Sequence, residues 1–120
     1  MARVLIVEDN EVNLELMVYL LEAFNHLVLV ARDGLEGWQI AHTELPDLIL
    51  LDVHLPKLDG YGLVQRLKSD PPTRLIPVVA VTALAMVGDR DKILAAGFDG
   101  CITKPIDPET LIARVESFLQ

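Results

Sequence analysis

The stretch Leu48-Ile49-Leu50-Leu51-Asp52-Val53-His54-Leu55-Pro56 decides the fold. Four large apolar residues run directly into a carboxylate. An apolar run this short and uniform suits a strand buried on both faces, as in the middle of a parallel sheet. Pro56 cannot extend a hydrogen-bonded ladder, so the strand ends before it. Asp52 then falls at the strand's carboxyl end, the edge where open α/β sheets collect ligands and chemistry. Taken alone, Asp52 reads as a strand terminator. The other strand ends change that reading.

Upstream, Arg3 to Val7 is a β-branched, buried strand that meets Glu8-Asp9. Asn10 caps a helix over Glu11 to Phe24, with Leu14, Met17, Val18 and Leu21 at helical spacing. Leu27 to Ala31 is a second strand. Asp33-Gly34-Leu35-Glu36 has the capping-box pattern and opens a helix to Thr43. The third strand is Asp47 to Asp52, followed by a helix from Asp59 to Ser69 that Asp70-Pro71-Pro72 stops. Pro77 to Thr82 is the fourth strand; a helix then runs to Ala96, with Gly97 as its C′ residue. Asp99 to Thr103 is the fifth. Asp107-Pro108 starts the last helix, which Leu111, Ile112, Val115 and Leu119 line on one face. Strict βα alternation predicts an α/β doubly wound parallel sheet with helices on both faces.

The 120 residues suit one domain, 1–120, and 52% are apolar, enough for a real core. The single cysteine, Cys101, excludes a disulfide framework and fits a reducing compartment. The short apolar run at the start meets two acids at once, unlike a signal peptide. No apolar stretch approaches the ~20 residues of a membrane span. A cytoplasmic protein with no membrane partner is expected. The formal charge is -8, with no cluster of Lys or Arg, which argues against direct nucleic-acid binding.

In a parallel sheet, the ends of strands one, three, four and five open onto one edge. They carry Glu8-Asp9, Asp52, Thr82-Ala83 and Lys104-Pro105. Crowded carboxylates repel unless a cation sits among them. Hard oxygens in a partly open site suit Mg²⁺. Lys104 offers a point charge and Thr82 a hydroxyl, both suited to a phosphoryl oxygen. An Asp in such a site can act as a nucleophile and form an aspartyl phosphate. A Glu-Asp pair, a strand-end Thr or a Lys before Pro means little alone; one at each strand end, in this order, is a constellation.

With these residues the chain resembles the receiver domains of two-component response regulators over essentially its whole length. The resemblance rests on Val4-Leu5-Ile6-Val7-Glu8-Asp9-Asn10, Asp47 to Gly60, Pro77-Val78-Val79-Ala80-Val81-Thr82-Ala83 and Ile102-Thr103-Lys104-Pro105-Ile106. The stretch Thr82 to Met86 looks most like stand-alone regulators of the cell-division type. The resemblance implies a five-stranded, flavodoxin-like receiver fold of strand order 2-1-3-4-5. It implies that Asp52 accepts a phosphoryl group from a phosphohistidine on a histidine kinase or phosphotransfer protein. It further implies that Asp9, Asp52 and the backbone carbonyl of His54 hold Mg²⁺, with Glu8 acting through water. Lys104, ahead of a cis bond to Pro105, would contact the acyl phosphate, and Thr82 would move to bind it. The protein would catalyse only its own phosphorylation and dephosphorylation, then pass the phosphoryl group on or switch the binding of a downstream protein.

Other residues invite over-reading. His54 lacks a second His or Cys spaced for a metal, so its imidazole is expected to flank the site and modulate water access. His26 and His42 are expected at the surface, Trp38 in the core, and Met86 in either place. Receivers usually carry an aromatic residue where this chain has Cys101. A small thiol cannot sweep the volume of a ring. The expected consequence is a weaker signal through the last helix, with more carried by Thr82 and the loop Ala83 to Gly88. The thiol itself is expected to be buried and inert. The enzyme alternative is a Mg²⁺-dependent phosphatase of the haloacid dehalogenase type, which resembles Asp-x-Asp; here the second position is His54. A flavodoxin-like binding module would need a hydroxyl- and glycine-rich phosphate loop where the chain has Glu8-Asp9-Asn10-Glu11.

Overall fold

The computed structural model describes residues 2–55, 57–83 and 87–119. Five strands, β1 (Arg3–Val7), β2 (Leu27–Ala31), β3 (Leu48–Asp52), β4 (Val78–Thr82) and β5 (Gly100–Thr103), alternate with five helices. These are α1 (Glu11–Ala23), α2 (Gly34–Glu44), α3 (Gly60–Ser69), α4 (Val87–Ala95) and α5 (Pro108–Phe118). The strands are all parallel, in the order β2-β1-β3-β4-β5. The expected α/β doubly wound sheet is thus observed, with boundaries moved by a residue or two. Strand β3 starts at Leu48; just before it Asp47 donates its N–H to the Arg3 carbonyl at 2.8 Å, and its carboxylate accepts the Arg3 N–H at 2.8 Å. Asn10, Asp33, Asp59 and Asp107 cap α1, α2, α3 and α5, each accepting from an N–H three residues on. Each such cap contributes about 1 kcal/mol.

Alternation along the strands splits the interior into two cores. Leu5, Val7, Ile49, Leu51, Val78 and Ala80 face α2, α3 and α4, where Ala41, Leu63, Val64, Leu67 and Ile93 cover them. Val4, Ile6, Leu48, Leu50, Val79 and Val81 face α1 and α5, packing on Leu14, Met17, Leu21, Leu111 and Val115. Every residue of β3 and β4 is buried, as the apolar runs require, whereas β2 at the sheet edge is only partly covered.

His26 departs from its expected surface position. Asn25 adopts a left-handed φ of 68°, and the chain turns back over the end of α1, where the N–H of His26 donates to the Leu21 carbonyl. The imidazole is buried, with Nε2 3.7 Å from Glu116 of α5. His42 is exposed, as expected. Trp38 is half-buried against the α2–α4 core and stacks on His42 at 5.3 Å, with the Arg66 guanidinium 5.7 Å from its ring. Met86 and positions 84–86 of the loop singled out above lie outside the described residues.

Gly97 follows α4 with φ of 113°, the conformation expected of its C′ role. Gly34 serves differently: a Cβ there would land on the carbonyl oxygen of Leu58 and 2.6 Å from its carbonyl carbon. The N-terminus of α2 therefore sits directly on the loop that follows β3. Replacing Gly34 by Ala must push two backbones apart and is expected to destabilise by about 2 kcal/mol. A lowered urea midpoint at unchanged slope is the expected result; an unchanged midpoint would refute the contact.

Candidate functional site at the carboxyl edge of the sheet

Because β1, β3, β4 and β5 are parallel, their carboxyl ends form one rim. Glu8 extends β1, its N–H donating to the Ala31 carbonyl at 3.0 Å, and is 1% exposed. Asp9 next to it is exposed. Asp52 ends β3 and is 6% exposed. One oxygen from each of Glu8, Asp9 and Asp52 lies within 4.8 Å of the others. Thr82 ends β4, fully buried, in register with Thr103 of β5. The next residue, Lys104, donates its N–H to the Thr82 carbonyl at 2.8 Å, and its peptide bond to Pro105 is cis, as expected.

Lys104 is the cation of the rim. Its Nζ lies 3.0 Å from Glu8 Oε1 and 3.4 Å from Asp52 Oδ2. Asp52 Oδ1 accepts from the N–H of His54 at 3.0 Å, and Glu8 Oε2 accepts from the N–H of Asn10 at 3.3 Å. The Lys104–Glu8 approach has ion-pair distance but not hydrogen-bond alignment, so buried Glu8 Oε1 retains acceptor capacity. One ammonium among three carboxylates leaves the rim net negative. Burial, reinforced by the adjacent Asp52, pushes the Glu8 carboxyl up to about 7, against the opposing pull of Lys104. Burial draws the Lys104 ammonium down, but Glu8 and Asp52 together outweigh it and hold it above the usual lysine range. Three hard oxygens within 4.8 Å of one another, sharing a single ammonium, fit a small divalent cation.

The sequence-expected residues therefore meet: Glu8, Asp9, Asp52 and Lys104 in one cluster, with Thr82 on the adjoining strand. His54 contributes its main chain at the site's margin, while its side chain is exposed. Cys101 is half-buried rather than buried. Its side chain faces the α2–α4 core, and its carbonyl accepts from Arg114 of α5 at 3.2 Å. Desolvation raises its thiol pKa. Supporting residues escaped the sequence reading. Gly60 opens α3 so close to β3 that a Cβ would lie 2.7 Å from the Asp52 carbonyl oxygen. Lys57 holds a left-handed φ of 68° in the loop between β3 and α3, with Nζ 3.5 Å from Asp33 of α2. Only the Asp59-Gly60 pair hinted at this support.

This fold and this rim define a class. A family model for the response regulator receiver domain matches residues 4–116, and the chain belongs to that family. It is 43% identical over 116 residues to the polar-differentiation response regulator DivK of Brucella anthropi, covering 97% of this chain and 94% of that one. Among solved structures it resembles the chemotaxis response regulator CheY4 of Vibrio cholerae, at a TM-score of 0.94 and 27% identity over 99% of both chains. It also resembles the receiver domain of the Pseudomonas aeruginosa sensor histidine kinase PA1611, at a TM-score of 0.91 and 31% identity, covering 98% of this chain and 97% of that one. That structure holds a magnesium ion in its active-site cleft. The haloacid dehalogenase alternative finds no support. Among the described residues, no helix is long and apolar enough to cross a membrane.

The raised Glu8 pKa makes a prediction for the protein without divalent metal. Below the unfolded value near 4.5, Glu8 is protonated in both states and has no effect. As pH rises through about 7, ionisation is penalised only in the folded state, so stability falls. The loss is on the order of 3 kcal/mol between about pH 5 and about pH 8. Glu8→Gln should flatten this part of the pH profile, measured by urea unfolding in chelator. An equally steep profile in the variant would assign the effect elsewhere.

Proposed function

We propose that residues 1–120 act as one receiver unit, a phosphorylation switch with Asp52 as phosphoacceptor. The observation that carries this reading is the placement of Asp52: nearly buried at the end of a central strand, beside Glu8 and Asp9 and within reach of Lys104. A carboxylate oxygen of Asp52 attacks the phosphorus of a phosphohistidine on a histidine kinase or phosphotransfer protein. The P–N bond breaks, its electron pair stays on the imidazole nitrogen, which takes up a proton, and an acyl phosphate forms. Hydrolysis by water restores the carboxylate, so both steps are the protein's own chemistry on itself.

Lys104 pairs with the carboxylates before transfer and with the phosphoryl oxygens after it. Thr82 offers its hydroxyl to the same oxygens. Asp9, Asp52 and the His54 carbonyl would hold Mg²⁺, with Glu8 acting through water, and the ion supplies neutralising charge at the phosphoryl oxygens. The acidic rim and the fit of the carboxylate set support this choice of metal. The work belongs in the cytoplasm, with a downstream protein reading the switch and no direct contact with nucleic acid or membrane.

Acetyl phosphate with Mg²⁺ should add one phosphoryl group, read by intact mass. Asp52→Asn should abolish labelling, because the amide keeps the shape and loses the nucleophile. Asp9→Ala should slow it at least tenfold by weakening metal binding. Full labelling of the Asn variant would place the nucleophile elsewhere.

Cys101 at the position expected to be aromatic shapes how the signal leaves. With no ring to turn inward, phosphorylation acts through Thr82 and the segment after β4, and helix α5 responds weakly. Amide shifts with beryllofluoride should therefore be small along α5. Cys101→Tyr should enlarge the response at α4. Shifts in unmodified α5 as large as those beside Thr82 would defeat this reading.

A further inference from the structure

His26 is a buried polar side chain that the carboxylate rim does not use and the fold does not satisfy. Its side chain is 6% exposed, and neither Nδ1 nor Nε2 has a hydrogen-bond partner. A neutral imidazole there leaves one N–H and one lone pair unmet, which costs folding free energy. The residue lies at the amino edge of the sheet, just before β2 and opposite the carboxylate rim. Asn25 turns the chain, and the His26 N–H donates to the Leu21 carbonyl of α1 at 3.0 Å. Glu116, in the last turn of α5, stands 3.7 Å from Nε2, and its side chain is 47% exposed. The other charges nearby are spoken for or out of reach. Glu22, the last acid of α1, lies beyond ion-pair distance of the ring. Arg114 of α5 is turned to the Cys101 carbonyl, and Arg3 of β1 is paired with Glu44. Strand β2 carries no charge. Neither α1 nor α5 has a basic residue in its last turn, so the carbonyls that end both helices meet no fixed cation there.

We propose that His26 and Glu116 form a proton-operated clasp between the turn after α1 and the last turn of α5. With the ring neutral the clasp is open, and both ring nitrogens stay unpaired. When the ring takes up a proton, Nε2–H becomes a charged donor, and the exposed Glu116 side chain moves in to accept it. The same charge offsets the carbonyls that end α1 and the acid that α5 carries at its own negative end. Histidine is the side chain whose ordinary titration falls between about pH 5 and about pH 8, so acidification within that range closes the clasp. A proton held more tightly by the folded chain than by the unfolded one stabilises the fold at low pH, and the gain disappears as pH rises. Helices α1 and α5 are the two that cover this face, and no other side-chain ion pair joins them among the described residues. Closing the clasp ties their carboxyl ends together and steadies the last turn of α5. None of its residues belongs to the carboxylate rim, so the clasp stands apart from the phosphorylation reading.

The test follows the ring directly. Imidazole resonances of isotope-labelled protein, with those of His26 assigned by their loss in His26→Asn, should titrate between about pH 8.5 and about pH 5.5. Amides in the last turn of α5 should move on the same curve. In Glu116→Gln the imidazole midpoint should fall to lower pH and the α5 shifts should shrink. Urea unfolding of the unmodified protein, His26→Asn, Glu116→Gln and the double variant then completes a cycle in which the ionisation of Glu8 cancels. The expected coupling is about fivefold in the unfolding equilibrium constant at the acid end and none at the alkaline end. A purely structural contact would couple equally at both. A ring that stays neutral down to about pH 5.5, a midpoint unaltered by Glu116→Gln, or equal coupling at the two ends would overturn the proposal.

Discussion

One ammonium group holds this rim together. Lys104 lies within ion-pair distance of both Glu8 and Asp52, carboxylates brought by two other strands. Without it, two nearly buried acids would face each other with Asp9 beside them. The parallel sheet forces that meeting, because every strand that ends in chemistry ends on the same side. The geometry is consequently strained in charge rather than in shape. It is a site that gains from any added positive partner.

The rest of the fold serves to keep these ends in place. Complete burial of β3 and β4 fixes Asp52 and Thr82 on an interior that has no room to slide, since a one-residue slip would invert both cores. Gly60 lets α3 begin against the Asp52 carbonyl, and Gly34 lets α2 rest on the loop between them. The site is therefore floored by strands and braced from the side by two helix N-termini.

Much of this was legible in the chain. Uniform apolar runs, helix caps and the prolines marked the elements, and the identity of each strand's last residue marked the site. What escaped depends on distances between segments far apart in sequence. Nothing in the letters around Gly34 says that Leu58 lies against it. His26 reads as a surface residue because its burial comes from a turn at Asn25 and from α5, some 90 residues downstream. The left-handed backbone at Lys57 runs against the usual preference for glycine. The elevated Glu8 pKa needs the burial and the neighbours together, and neither is a local property. Cys101 was visible as a departure, yet its partial exposure was not.

The contact between Gly34 and the Leu58 carbonyl also acts as a ruler. It sets the path length from Asp52 to α3, since the loop must deliver one particular carbonyl to one particular α-carbon. Only the exposed side chains of that loop, such as Lys57 and His54, are free to vary in chemistry, because Val53 and Leu55 are buried in the core. Its number of residues is not. Insertion or deletion of a single residue there would detach α2 from the loop, so diversification of this region must proceed by substitution at constant length.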